Sequence, residues 1–150
     1  IAENIALSGE VKDMQRVKKA AKIACINEFI EKLPQQYDTK IGMEGLNLSN
    51  GQKQRILIAR AIYKNANYIF LDEATNSLDA INEKSLVCNL NYYFKNKTMV
   101  VIAHRLSTVK NADNIIVMNN GTVIESGTHA ELVSMQGEYF SLIRNQLEIV

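Results

Sequence analysis

At 150 residues and 16.9 kDa the chain is the size of one ordinary domain. Its 17 Lys+Arg against 16 Asp+Glu leave a formal net charge of +1, which argues against a nucleic-acid-binding arm or an acidic tail. A hydrophobic fraction of 47% with 22% charged residues excludes wholesale disorder. No apolar run reaches the roughly 18 residues of a spanning helix, and no signal-peptide pattern opens the chain. Cys25 and Cys88 form no CxxC pair, so neither a disulfide scaffold nor a zinc site is expected, and a reduced, cytoplasmic setting is the default. Residue 1 is Ile rather than Met, and the expectation is a piece of something longer.

The first third reads as helical. From about Asp13 to Leu33, Val17, Ala20, Ala21, Ala24, Cys25 and Phe29 recur at spacings of three and four. Lys18, Lys19 and Lys22 lie largely off that face and read as a solvated flank. Pro34, the only proline, is expected to end the helix just after Leu33. A loop follows over Gln35–Asn50. A second helix is predicted from Gly51 to about Lys64, with Ser49 and Asn50 as cap candidates.

The pattern then changes. Tyr68–Leu71 and Met99–Ala103 are short apolar runs with the length and residue types of buried strands. The first ends in Asp72-Glu73 and the second in His104. Ile81 to about Phe94 reads as a helix between them, so a βαβ unit with a parallel sheet is predicted. Ile115–Met118 and Thr122–Glu125 flank Asn119-Asn-Gly121, a hairpin signal. Helices over about His129–Met135 and Glu138–Glu148 close the chain.

Open parallel sheets bind ligands beyond the carboxyl ends of their strands. If the two runs are neighbours, Asp72, Glu73 and His104 converge on one rim. One carboxylate could hold Mg²⁺ through its water shell and the other could polarise an attacking water. Equally, the couplet could only cap the next helix, and His104 could be a satisfied structural histidine. Leu48-Ser-Asn-Gly-Gln52 places a hydroxyl and a glycine at a helix N-terminus, where unpaired N–H groups and the positive dipole end favour an anion. Any capped helix shares that property. No Gly is followed by Lys, so the GxxxxGK[ST] phosphate loop is missing from this stretch.

Taken in order, these pieces resemble the nucleotide-binding domain of ATP-binding cassette (ABC) transporters, over nearly the whole chain. Leu48–Gln52 with Lys-Gln-Arg55 is similar to the signature LSGGQ…QR, with Asn50 in place of its first Gly. Tyr68–Asp72 with Glu73 resembles the Walker B strand and its catalytic Glu. Ser77-Leu-Asp79 resembles the D-loop, and His104 within Ile102–Thr108 the switch histidine. Thr39–Gly45 resembles the exporter element TxxGExG, with Met43 in the usual Glu slot and Glu44 one place later. Ile1–Ile5 resembles the exporter stretch that follows the Q-loop. Gly51–Ala61 and Asp79–Glu83 are most like bacterial peptidase-containing exporters of bacteriocin-like peptides.

The resemblance implies an α/β fold: a partial P-loop ATPase core, with a parallel sheet and flanking helices, plus a helical signature subdomain. Residues 1–65 would be that subdomain and 66–150 the C-terminal part of the core, with the Walker A part absent. It implies ATP and Mg²⁺ as cofactors, with Asp72 as the metal ligand, Glu73 as general base and His104 on the γ-phosphate. Ser49, Asn50, Gly51 and Gln52 would complete the site of an opposite subunit in a head-to-tail dimer, with Asp79 linking the two sites. Asn50 adds bulk where Gly lets backbone approach closely, although Asn tolerates left-handed geometry. Thr39–Gly45 would meet the coupling helices of a membrane domain, at the cytoplasmic face of a bacterial cell membrane. Two other readings stand beside this exporter: a DNA-repair or chromosome-organising ATPase, and an inactive interaction fragment. The near-zero charge gives a nucleic-acid partner no support.

Overall fold

The computed structural model describes residues 1–7, 13–42, 45–72, 80–103 and 106–147. The chain divides into two compact units, Ile1–Val100 and Val101–Val150. Among the described residues no helix is long and apolar enough to cross a membrane.

In the first unit, helices α1 (Ala2–Ala6), α2 (Met14–Ile23), α3 (Asn27–Glu31) and α4 (Asn50–Lys64) precede strand β1 (Tyr68–Asp72) and helix α5 (Ala80–Tyr93). Strand β2 (Thr98–Ile102) begins in this unit. The Asp13 carboxylate opens α2 by accepting from the backbone N–H groups of Gln15 and Arg16, at 3.0 and 3.1 Å. Val17, Ala20 and Ala21 face inward, and the small alanines let α1 and α4 pack close. Ile5, Val17, Ile26, Ile30 and Leu86 are fully buried in this core.

The single helix expected from Asp13 to Leu33 is two. Cys25 turns left-handed at φ 54°, and its N–H and that of Ile26 bond back to the carbonyls of Lys22 and Ala21, at 3.1 and 3.0 Å. That pair of bonds is the usual reverse turn at a helix end, and its left-handed position is normally glycine. Cysteine there carries no stop signal in the sequence, and burial of Ile26 helps hold the turn. α3 then ends ahead of Pro34. The loop beyond holds a 3₁₀ turn at Gln36–Asp38.

β1 and β2 are hydrogen-bonded neighbours joined through α5, so the expected α/β class with parallel strands holds. The expectation of buried strands holds on one side only. Ile69 is 5% exposed and joins the core, whereas Tyr68 and Phe70 are 70% and 75% exposed. Side chains alternate across a strand, and the helices of this unit cover one face of this pair.

The second unit holds α6 (Leu106–Val109), β3 (Ile115–Asn119), β4 (Thr122–Gly127), α7 (His129–Met135) and α8 (Glu138–Leu147). β3 and β4 form the expected hairpin, with Asn120 and Gly121 both at positive φ, 47° and 76°. Val117 faces Glu125 and Met118 faces Val123, so Ile124 is the extra residue of a bulge. Thr128 and Glu131 cap α7 reciprocally. The two Thr128 hydrogen bonds hold the exposed Glu131 carboxyl below its ordinary range. Glu125 reaches from β4 to accept from the N–H groups of Glu138 and Tyr139, at 2.6 and 3.0 Å, and so caps α8. A Cβ on Gly137 would collide with that carboxylate.

Candidate functional site

The signature segment is the N-terminus of α4. Ser49 sits in extended backbone at the cap position; its Oγ accepts from the Gln52 N–H at 3.3 Å, while Gln52 Oε1 accepts from the Ser49 N–H at 2.9 Å. This reciprocal cap uses the amides of Ser49 and Gln52 and, among the described residues, leaves those of Asn50 and Gly51 for an external acceptor. With the dipole of a 15-residue helix behind them, that end of α4 is chemically fit for a phosphate. Asn50 is helical and is not among the residues at positive φ, so left-handed tolerance plays no part in its place here. Ser49 and Asn50 are exposed, Gly51 is buried and Gln52 is half-buried.

Three arginine contacts fix α4. Arg55 Nη1 donates to the Cys25 carbonyl at 2.9 Å, and its Nε returns to the Gly51 carbonyl at 3.3 Å. Arg60 Nε donates to the Asn4 carbonyl at 2.6 Å. Arg16 Nη2 donates to the Tyr63 carbonyl at 2.7 Å with its guanidinium over the Tyr63 ring. Burial pushes the Cys25 thiol up, against opposing pulls from the Asn89 hydrogen bond and the Arg55 charge. Of these anchors Arg55 stands in the signature motif and Arg60 in the Gly51–Ala61 stretch read by resemblance. Arg16, Arg60 and Asn89 reach partners far along the chain, and no local spacing marks those contacts.

Asp72 is the last residue of β1 and is exposed, and a carboxylate is suited to a hydrated hard cation. Ile102 ends the neighbouring β2. Glu73, Asp79 and His104 lie outside the described residues, as do Met43 and Glu44. Among the described residues no three His, Cys, Asp or Glu side chains gather as a metal cluster.

The Thr39–Gly45 element borders a groove of about 500 Å³ lined by Ile41, Gly42, Gly45, Leu46, Leu48 and Lys53, among others. The loop closes on itself: Leu46 N–H donates to the Lys40 carbonyl at 3.0 Å and Gly45 N–H to the Gly42 carbonyl at 3.1 Å. Gly42 is left-handed at φ 114°, and a Cβ on Gly45 would strike the Lys40 carbonyl. Both glycines are thus required by backbone geometry.

The family model described as ABC transporter matches residues 1–76. The chain belongs to the ABC transporter family. Among its relatives is the ATP-dependent lipid A-core flippase of Acinetobacter baylyi, 49% identical over 150 residues that cover 99% of this chain and 26% of that protein. ABC transporter B family member 28 of Arabidopsis thaliana is 49% identical over 97% of this chain and 21% of its own length. The structure of a bacterial Atm1-family ABC exporter with ATP bound superposes with a TM-score of 0.91 at 38% identity, covering 97% of this chain and 26% of that one. This ABC transporter chain therefore spans about a quarter of the flippase and of the Atm1-family exporter.

Proposed function

We propose that this ABC transporter chain is the C-terminal portion of an exporter ATPase subunit that couples ATP binding and hydrolysis to movement of a substrate across a membrane. The single observation that carries the reading is the signature segment as a capped helix start with two amides left for phosphate, in a chain whose neighbouring strand ends in Asp72. Residues 1–65 act as the signature subdomain and 66–150 as the C-terminal part of the core, at the cytoplasmic face of the membrane. The uncovered side of β1, with Tyr68 and Phe70, is where the preceding Walker A part would pack. The groove beside Thr39–Gly45 is offered to the coupling helices of a membrane domain.

In the mechanism, Asp72 would hold Mg²⁺ through water, and the ion would supply charge neutralisation on the phosphates. Glu73 would take a proton from the water that attacks the γ-phosphorus as the bond to the β,γ-bridging oxygen breaks and ADP leaves, and His104 would contact the γ-phosphate. Ser49, Asn50, Gly51 and Gln52 would meet the nucleotide held by a second nucleotide-binding domain in a head-to-tail dimer, and Asp79 would link the two sites. The relatives carry the names of a lipid A-core flippase, a plant ABC transporter B family member and a bacterial Atm1-family ABC exporter. Peptide cargo rests only on the likeness of Gly51–Ala61 and Asp79–Glu83 to peptidase-containing exporters, and a bacterial source rests on the same likeness.

His104→Ala in the complete protein is expected to lower steady-state ATP turnover by about tenfold or more, because a donor to a developing phosphate charge is lost. An unchanged rate returns His104 to a structural role.

A further inference from the structure

The end of α2 leaves carbonyls with no partner in their own helix, as every helix end does. Two side chains from distant elements converge on it. Asn89 of α5 donates through Nδ2 to the Ile23 carbonyl at 3.1 Å and stands 3.3 Å from Cys25 Sγ, across 66 residues of sequence from Ile23. Arg55 of α4, 30 residues beyond Cys25, takes the Cys25 carbonyl at 2.9 Å, and its Nε holds the Gly51 carbonyl one turn back in its own helix at 3.3 Å. Cys25 itself keeps a left-handed backbone that a non-glycine residue resists, so the corner depends on its surroundings. An unbroken chain of contacts thus runs from α5 through Ile23 and Cys25 to Arg55 and Gly51.

We propose that Asn89 and Arg55 are positioning residues that hold the signature segment Ser49–Gln52 in register with α5 through the Cys25 corner. In sequence, α5 directly follows residues 73–79, which contain Glu73 and Asp79. The clamp therefore ties the helix that follows those two residues to the segment that would meet the opposite nucleotide. The inference rests on the ATPase reading above for its consequence, though not for its geometry.

The test uses Asn89→Leu, which keeps the branched side-chain shape and removes the donor, and Arg55→Lys, which keeps charge but cannot fork to two carbonyls. Amide hydrogen exchange is followed at Gln52 and Lys53, and kcat and KM for ATP are measured in the complete protein. Each variant is expected to raise exchange at those two amides at least about threefold. Each should also lower kcat about threefold or more with KM within about twofold. The double variant should be no slower than the worse single, since both act through one corner. A lower melting temperature with exchange and kcat unmoved, exchange that moves while kcat does not, or effects that multiply would overturn it. If Asn89→Leu does not fold, Arg55→Lys carries both readouts with the same outcomes. A protein that hydrolyses no ATP at all overturns the ATPase reading instead, and the exchange result then decides the clamp by itself.

Discussion

In the complete protein, Glu73→Gln is expected to cut ATP hydrolysis by about 100-fold or more while leaving nucleotide binding in place. The amide keeps the size and much of the hydrogen bonding of the carboxylate, but it cannot take a proton from water. Asp72, one residue earlier at the end of β1, keeps its charge and would keep the hold on the cation proposed for it. The substitution also removes a repulsion between adjacent carboxylates, so affinity for Mg·ATP should hold or rise. Parallel measurement of equilibrium ATP binding and of phosphate release separates the two effects. Normal turnover by the variant would remove Glu73 as the base, and lost binding would assign it to the metal site instead.

Leu132→Ala is the second large effect, and it falls on stability. Leu132 is fully buried and, among the described residues, shares its core with four other buried ones, Ile115, Val117, Tyr139 and Ile143. Truncating a buried Leu costs about 2–5 kcal/mol, through lost transfer energy and the cavity left behind. A unit of this size has little reserve, since small domains bury a smaller share of their surface. The amides of Ile115–Asn119 and Thr122–Gly127 are expected to lose hydrogen-exchange protection together. Protection that survives at the hairpin would show that its strands do not depend on α7 for cover.

Much of this organisation was legible in the residues because it depends on near neighbours. Ser49 as the cap of α4, the Asn120-Gly121 turn and the start of α7 each follow from chemistry within four positions. The βαβ order followed from two short apolar runs flanking a helical stretch, and β1 and β2 are indeed paired. What escaped was long-range or conformationally unmarked. Cys25 breaks a helix from a position where sequence signals expect glycine. Glu125 caps α8 from another element, 13 residues away from Glu138. The exposure of Tyr68 and Phe70 could not be read from an apolar run, because the same run serves a strand covered on one side or on two. In the candidate site, Ser49, Asn50, Gly51, Gln52 and Asp72 have defined places, whereas Glu73, Asp79 and His104 lie outside the described residues.

The proposal stands or falls on whether the α4 N-terminus meets the terminal phosphates of a nucleotide bound chiefly by a second nucleotide-binding domain. An ATP analogue carrying a photoreactive group on its γ-phosphate, bound to the complete Glu73→Gln protein with Mg²⁺ and irradiated, tests it most directly. The account predicts label on a peptide containing Ser49–Gln52, removed by competing ATP. Saturating incorporation elsewhere with none in that peptide would contradict it.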